Sequence, residues 1–251
     1  VSRQRARRGA AAARRAGRAR LLACLLAAAL GAACASAATF YASGPGSVTG
    51  DGLHRLRWSQ QGAEFARPGA QLGGYRQVLI DPLAISETPQ EGRPRLAATP
   101  RYPPTPGYLD GMRRAYQESF ARIFGGGGFR VAAEPGPDVL RISGQVVDLV
   151  LTARLDPESE PDTSELISSF GELTLLLDVR DSRSGEALLR TLDRQPIARD
   201  PVQGVARNST GANLSAQREV FGHQALLLRE RLSELQGMGR APPVPAAPTS
   251  P

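Results

Sequence analysis

The alternation of apolar and polar positions predicts most of the architecture between residues 75 and 236. Tyr75–Asp81 is apolar and β-rich, stopped by Pro82, and reads as a strand. Leu109, Met112, Tyr116, Phe120 and Ile123 recur at helical spacing, so an amphipathic helix is expected over Tyr108–Phe124, ended by the glycine run 125–128. Phe129–Ala133 is a short strand, and Val139–Thr152 a long β-branched one whose later half is apolar on both faces. Leu173, Leu175, Leu177 and Val179 alternate with polar residues, the pattern of a half-buried strand. Asp181–Gly185 is a turn, and Glu186–Arg194 returns as the partner of a hairpin. Phe221, Ala225, Leu228, Leu232 and Leu235 share one helical face, placing a last helix over Ser215–Leu235. The order β-α-β-β-β-β-α predicts an α+β two-layer sandwich. Its expected form is a mainly antiparallel sheet of about five strands with two amphipathic helices packed on one face.

The flanks follow other rules. Ser2–Arg20 holds eight arginines and no acid, Leu21–Ala33 is an unbroken run of Leu, Ala, Cys and Gly, and small residues follow to Ala38. A positive segment, a short apolar segment and an A-x-A site form a secretion signal, so residues 1–38 are expected to be a cleaved signal segment. The apolar run is shorter than the roughly 20 residues that span a bilayer. Residues 39–74, poor in large apolar side chains, read as an extended lead-in that wraps the domain. Residues 75–236 form the single α+β domain, and the Pro/Ala-rich residues 237–251 are an expected disordered tail.

The signal changes the meaning of the charge. The chain carries 31 basic residues, all arginine, against 24 acidic ones, a net charge of +7. Discounting the eight signal arginines leaves 23 against 24, or −1, and no basic stripe for phosphate contacts. No nucleic-acid partner is therefore expected. Both cysteines, Cys24 and Cys34, lie in or beside the signal, so the remaining chain has no disulfide and no thiol nucleophile. Leu30-Gly-Ala-Ala-Cys34 is a relaxed lipobox, which makes Cys34 a candidate lipid-attachment residue. Cleavage after Ala37 or Ala38 would instead discard it.

Three blocks of the chain are similar to a known family. Gly69-Ala-Gln-Leu-Gly-Gly-Tyr75-Arg-Gln-Val78-Leu-Ile80-Asp81-Pro82 resembles its Y-x-x-V-x-I-D-P segment. Gly136-Pro-Asp138-Val-Leu-Arg-Ile142 resembles its second block, and Leu177 to Glu186, with Asp181, Ser182 and Gly185, its D-S-x-x-G-E hairpin. The family is a bacterial one of unknown function (domain of unknown function 3313), with many members described as lipoproteins. The resemblance implies export and one continuous fold, and it carries no catalytic residue. Asp81 and Asp181 stand at strand ends, where a carboxylate can accept backbone N–H groups and close a turn.

Little in the chain points to catalysis. The histidines are His54, in the lead-in, and His223, in the last helix; a nucleophile elbow is absent. The glycine run 125–128 follows a helix, whereas phosphate cradles precede one. Asp156-x-Glu158-x-Glu160-x-Asp162 alternates like a calcium loop but lacks its glycine and its closing glutamate, so it reads as a solvated acidic loop. No catalytic, cofactor or metal residue is assigned. The expected protein is an exported, non-enzymatic binding or structural component of the periplasm or outer membrane. Its expected partners are an envelope protein or cell-wall component, and the membrane through a lipid on Cys34. One alternative is a small-ligand carrier with a pocket between helices and sheet lined by Tyr108, Met112, Tyr116 and Phe221. A more distant one is a hydrolase using His223.

Overall fold

The computed structural model describes residues 40–59, 62–86, 102–154, 166–198 and 205–243. The signal segment with Cys24 and Cys34, residues 87–101 of the Pro-rich stretch, the acidic loop 156–162 and the tail from residue 244 lie outside the described residues. The chain belongs to the α+β class, built on a mixed sheet. The strands are β1 (His54–Arg55), β2 (Ala63–Ala66), β3 (Gln77–Ile80), β4 (Ala84–Ile85), β5 (Arg130–Val131), β6 (Val139–Leu151), β8 (Gly171–Asp181) and β9 (Ala187–Pro196). They run in the order β1-β2-β9-β8-β6-β3-β5, with β4 also on β6. Two further short strands, β7 (Leu166–Ile167) and β10 (Ala206–Arg207), pair with each other outside this sheet.

This corrects the expectation of about five mainly antiparallel strands. β6, β8 and β9 form the antiparallel meander that the alternation predicts. β3, however, pairs parallel with β6 and with β5, and β4 pairs parallel with β6. The cause is topological: a helix separates β3 from β6, and a strand that reaches its neighbour through a crossover helix comes back parallel. The lead-in is also part of the sheet. β2 pairs antiparallel with β9, and Tyr41, Leu53, Leu56, Ala66 and Leu72 are buried in the core.

The first helix, α1, covers Pro106–Gly125. Thr105 caps it by accepting the Tyr108 N–H, and Pro follows the cap, where its missing N–H costs nothing. Tyr108, Met112, Ala115, Tyr116, Ser119, Phe120 and Phe124 are its buried stripe. The second, α2, covers Thr210–Gly237 and starts five residues before the predicted Ser215, because Ser209 caps it through the Ala212 N–H. Its first buried positions are polar (Asn213, Gln217), so a search for apolar spacing misses that turn.

Both helices meet the sheet face that carries Ile142, Gly144 and Val146 on β6 and Leu175, Leu177 and Val179 on β8. The Tyr116 ring lies against Gly144, where an added Cβ would sit 2.7 Å from it, so only glycine fits beneath the ring. The helices run parallel to each other. Gly111 faces Leu214, the Tyr116 and Phe221 rings are 5.6 Å apart, and the Arg229 guanidinium donates to the Ile123 carbonyl. No helix among the described residues is long and apolar enough to cross a membrane.

After α2 the chain does not go directly into a tail, as residues 237–251 were expected to do. The Ala241 N–H donates to the Ala70 carbonyl, and the Gly69 N–H donates to that of Ala241. The Tyr41 hydroxyl donates to the Pro242 carbonyl at 3.0 Å, and Ala241 is buried. The two ends of the described chain are thus clasped together.

Candidate functional site

Four places in the fold could carry chemistry. The first is the end of the sheet where β8 turns into β9. Asp181 Oδ1 accepts the N–H groups of Arg183 (3.1 Å) and Ser184 (2.6 Å), and Oδ2 accepts the Tyr75 hydroxyl at 2.8 Å. Gly185 adopts φ +73°, a left-handed conformation suited to glycine, and its N–H donates to the Asp181 carbonyl. Ser182 Oγ donates to the Gly136 carbonyl and accepts the Gly136 N–H. The Asp138 carboxylate accepts from the Gln77 amide. Residues from all three resembling blocks therefore converge here, in a knot of turns. Burial pushes the Asp181 carboxyl upward, but the hydrogen bonds from Ser184, Tyr75 and Arg183 outweigh it and lower its pKa.

Asp81 is elsewhere and does something different from closing a turn. It sits past β3, on the sheet face away from the helices, and accepts from Arg141 Nε (2.8 Å) and Ser143 Oγ. Pro82 follows it, exposed. On the same face Asp178 pairs with Arg180 (2.6 Å) and Arg190 (3.1 Å), and Arg190 reaches Asp51 (2.8 Å). Arg194 pairs with Glu172. This face, the second place, is a set of crossed charge pairs with Arg141 and Arg194 half exposed and Leu192 39% exposed among them. No sequence motif marks it; it emerges only when strand register aligns β6, β8 and β9.

The third place is a polar seam between α2 and the β9–β2 side of the sheet. Gln224 Nε2 donates to Asp193 Oδ2 at 2.9 Å, and Arg231 pairs with Glu64 at 2.7 Å. Arg231 also donates to the Trp58 carbonyl. Glu64 is 1% and Arg231 8% exposed, so this ion pair is taken out of water and holds the helix in register on the sheet.

The fourth is a cavity of about 340 Å³ between the N-terminal ends of α1 and α2, lined by Thr105, Tyr108, Arg114, Thr210, Asn213 and Gln217. Burial pushes the Tyr108 phenol up to about 12, and the neighbouring Gln217 amide pulls it back by less. Neither the Tyr108 hydroxyl nor Gln217 Oε1 makes a hydrogen bond of good geometry. Of the four side chains expected to line a pocket, only Tyr108 does; Met112, Tyr116 and Phe221 are fully buried core. They belong to the core cluster packed between the helices and the sheet.

The remaining candidates are placed as follows. His223 is exposed on α2, with no hydrogen bond to a serine or carboxylate among the described residues, and the His54 ring stands 5.6 Å from that of Tyr41. The Gly126 N–H caps α1 by donating to the Arg122 and Phe124 carbonyls. Among the described residues no group of three or more His, Cys, Asp or Glu side chains is arranged to hold a metal ion.

A mixed sheet carrying two parallel helices and a knot of turns built from three sequence blocks defines the class. The chain belongs to the family described as protein of unknown function (DUF3313), whose model matches residues 51–201. None of the curated proteins matches the chain. Solved structures similar to it include the PelC dodecamer from Paraburkholderia phytofirmans, at 12% identity and TM-score 0.36, over 66% of this chain and 96% of that one. Protein XCC0632 from Xanthomonas campestris is similar at 12% identity and TM-score 0.34, over 68% of this chain and 88% of its own. The hypothetical protein CT253 from Chlamydia trachomatis is similar at 11% identity and TM-score 0.33, over 66% and 98%.

Proposed function

We propose that the protein is a non-enzymatic binding component of the bacterial cell envelope, exported by its Arg-rich leader to the periplasm or outer membrane. The observation that supports this reading is the charged sheet face. Its guanidinium and carboxylate groups are held in fixed pairs at the surface, with Leu192 between them. Prearranged charges of both signs suit recognition of a partner by complementary charge, giving specificity more than raw affinity. The outermost strands, β1 and β5, are two residues long, which leaves little backbone for adding a partner's strand at an edge. The partner is an envelope protein or a cell-wall component. Pulldown from crosslinked envelopes should recover it with the wild-type protein and lose it with Arg141→Glu/Arg194→Glu. Recovery of nothing above background, or equal recovery by both, rejects docking on this face.

Membrane attachment through a lipid on Cys34 is part of this reading. A diacylglyceryl mass on that cysteine supports it, and a mature start at Ala38 or Thr39 rejects it. A small-ligand carrier is the second reading, supported by the cavity at the helix N-termini, whose volume is at the lower end of ligand pockets. A hydrolase based on His223 has the least support, since that side chain is exposed and unpaired with a serine or carboxylate among the described residues. His223→Ala should leave every phenotype intact.

A further inference from the structure

The edge of the sheet nearest the leader combines unpaired positive charge with an exposed aromatic ring. Arg55 and Arg57 flank the buried Leu56, so their side chains leave the core on the same side, and both are exposed. Neither enters an ion pair among the described residues. Glu64, across from Leu56, is paired with Arg231, and Asp51, in the preceding turn, is paired with Arg190, so neither acid offsets the two guanidinium charges. Trp58, the chain's only tryptophan, follows directly. It is 76% exposed, more than any other large apolar side chain described, while Arg231 on α2 holds its carbonyl at 3.1 Å. An anchored backbone thus carries a ring left in water.

The position of this edge along the chain says what covers it. The Arg57 N–H donates to the Phe40 carbonyl at 3.0 Å, and the Phe40 ring stands 4.9 Å from that of Tyr41. Phe40 is six residues after Cys34, a span that extends to about 22 Å at most. A lipid on Cys34 would therefore hold Arg55, Arg57 and Trp58 within reach of the bilayer surface. The chemistry suits that surface. Tryptophan rings collect at the level of lipid headgroups, and basic side chains just outside a membrane are drawn to anionic lipids.

We propose that Phe40, Arg55, Arg57 and Trp58 form a docking edge for an anionic phospholipid bilayer, with the guanidinium groups on headgroup phosphates and the Trp58 ring at the interface. The inference rests on the reading that tethers the protein through Cys34, and it adds a non-covalent contact that orients the tethered domain. Because Trp58 is the only tryptophan, its fluorescence reports the contact directly. The mature protein isolated from envelopes is mixed with vesicles of phosphatidylcholine, alone or with phosphatidylglycerol. Emission should move to shorter wavelength only with the anionic vesicles, and added salt should reverse the shift. Arg55→Glu/Arg57→Glu, at two exposed positions and with folding checked by thermal unfolding, should lower the ratio of docked to undocked protein about tenfold or more. The N-terminal mass of the same sample separates this claim from the tether. A shift in protein that starts at Ala38 or Thr39 would keep the docking edge and remove the tether. Lipid-bearing protein whose Trp58 emission ignores phosphatidylglycerol would overturn the docking edge and keep the tether. A shift indifferent to the charge reversal, or shielding of Trp58 that follows protein concentration without vesicles, as a second copy would produce, would also overturn the docking edge.

Discussion

Single residues decide how closely the layers approach. Gly144 lies in the middle of β6 under the Tyr116 ring, and Gly144→Ala would force that ring off a core whose neighbours are already at contact distance. Overpacking of this kind costs about 1–3 kcal/mol, which urea unfolding would read as a lower midpoint with an unchanged slope. Asp181 gives a pH signature. Its folded pKa lies below its ordinary 3.8, so it contributes stability that is full above the usual carboxylate range and is lost as pH falls through the depressed folded value. Asp51 behaves in the same direction, held down by Thr49 and then by Arg190 despite partial burial. Asp181→Asn should therefore lower stability at pH 7 and flatten the acid limb of a stability–pH profile; an unchanged limb would show that the knot does not depend on this charge. At this scale the sequence was a fair guide where a residue acts on its own backbone. Asp181 accepts N–H groups two and three positions on, an arrangement that turn composition predicts. Asp81 bonds residues sixty positions away, and nothing local announces that.

Elements were legible in proportion to their length. The long strands β6, β8 and β9 and both helices show clear periods, and their predicted cores lie in the helices and strands observed. Strands β1 and β4 have two residues each, too few for a period of two to register, and β2 has four in a Gln/Gly-rich setting, whereas β5, equally short, falls inside the predicted Phe129–Ala133 strand. The parallel pairing of β3 was also hidden, because alternation reports which face is buried and not which neighbour lies beside it. The polar seam under α2 is the other blind spot. Gln217, Gln224 and Arg231 lie on the buried side, where an apolar pattern assigns no face. Removing Arg231 alone by Arg231→Ala leaves Glu64 charged and nearly water-free, a loss of about 3–5 kcal/mol. Glu64→Leu/Arg231→Met should recover most of it in the same unfolding assay. A double variant no better than Arg231→Ala would mean that the pair contributes more than its own desolvation.

For the whole molecule, the structure moves the working boundary of the domain. Tyr75 is not its start: β2 completes the sheet against β9, and Leu53, Leu56, Ala66 and Leu72 fill the core from the N-terminal side. A chain beginning at Tyr75 should expose β9 and these contacts, and should be recovered as aggregate or show no cooperative thermal transition, whereas one beginning at Phe40 should unfold cooperatively. Sequence reading drew the line too late because the segment is rich in Gly, Ser and Gln, and its few apolar residues do their packing over long range.

The clasp of Gly69 and Ala70 with Ala241, closed by Tyr41 on Pro242, sets how the molecule would stand on a surface. It follows the C-terminal end of α2, a helix of 28 residues and hence about 42 Å long, so the cavity at the helix N-termini is at the far pole. From Cys34 to Tyr41 is seven peptide steps, which extend to about 25 Å at most. A lipid on Cys34 would thus act as a leash shorter than the molecule, keeping the clasped pole near the bilayer and letting the cavity mouth face outward into the compartment.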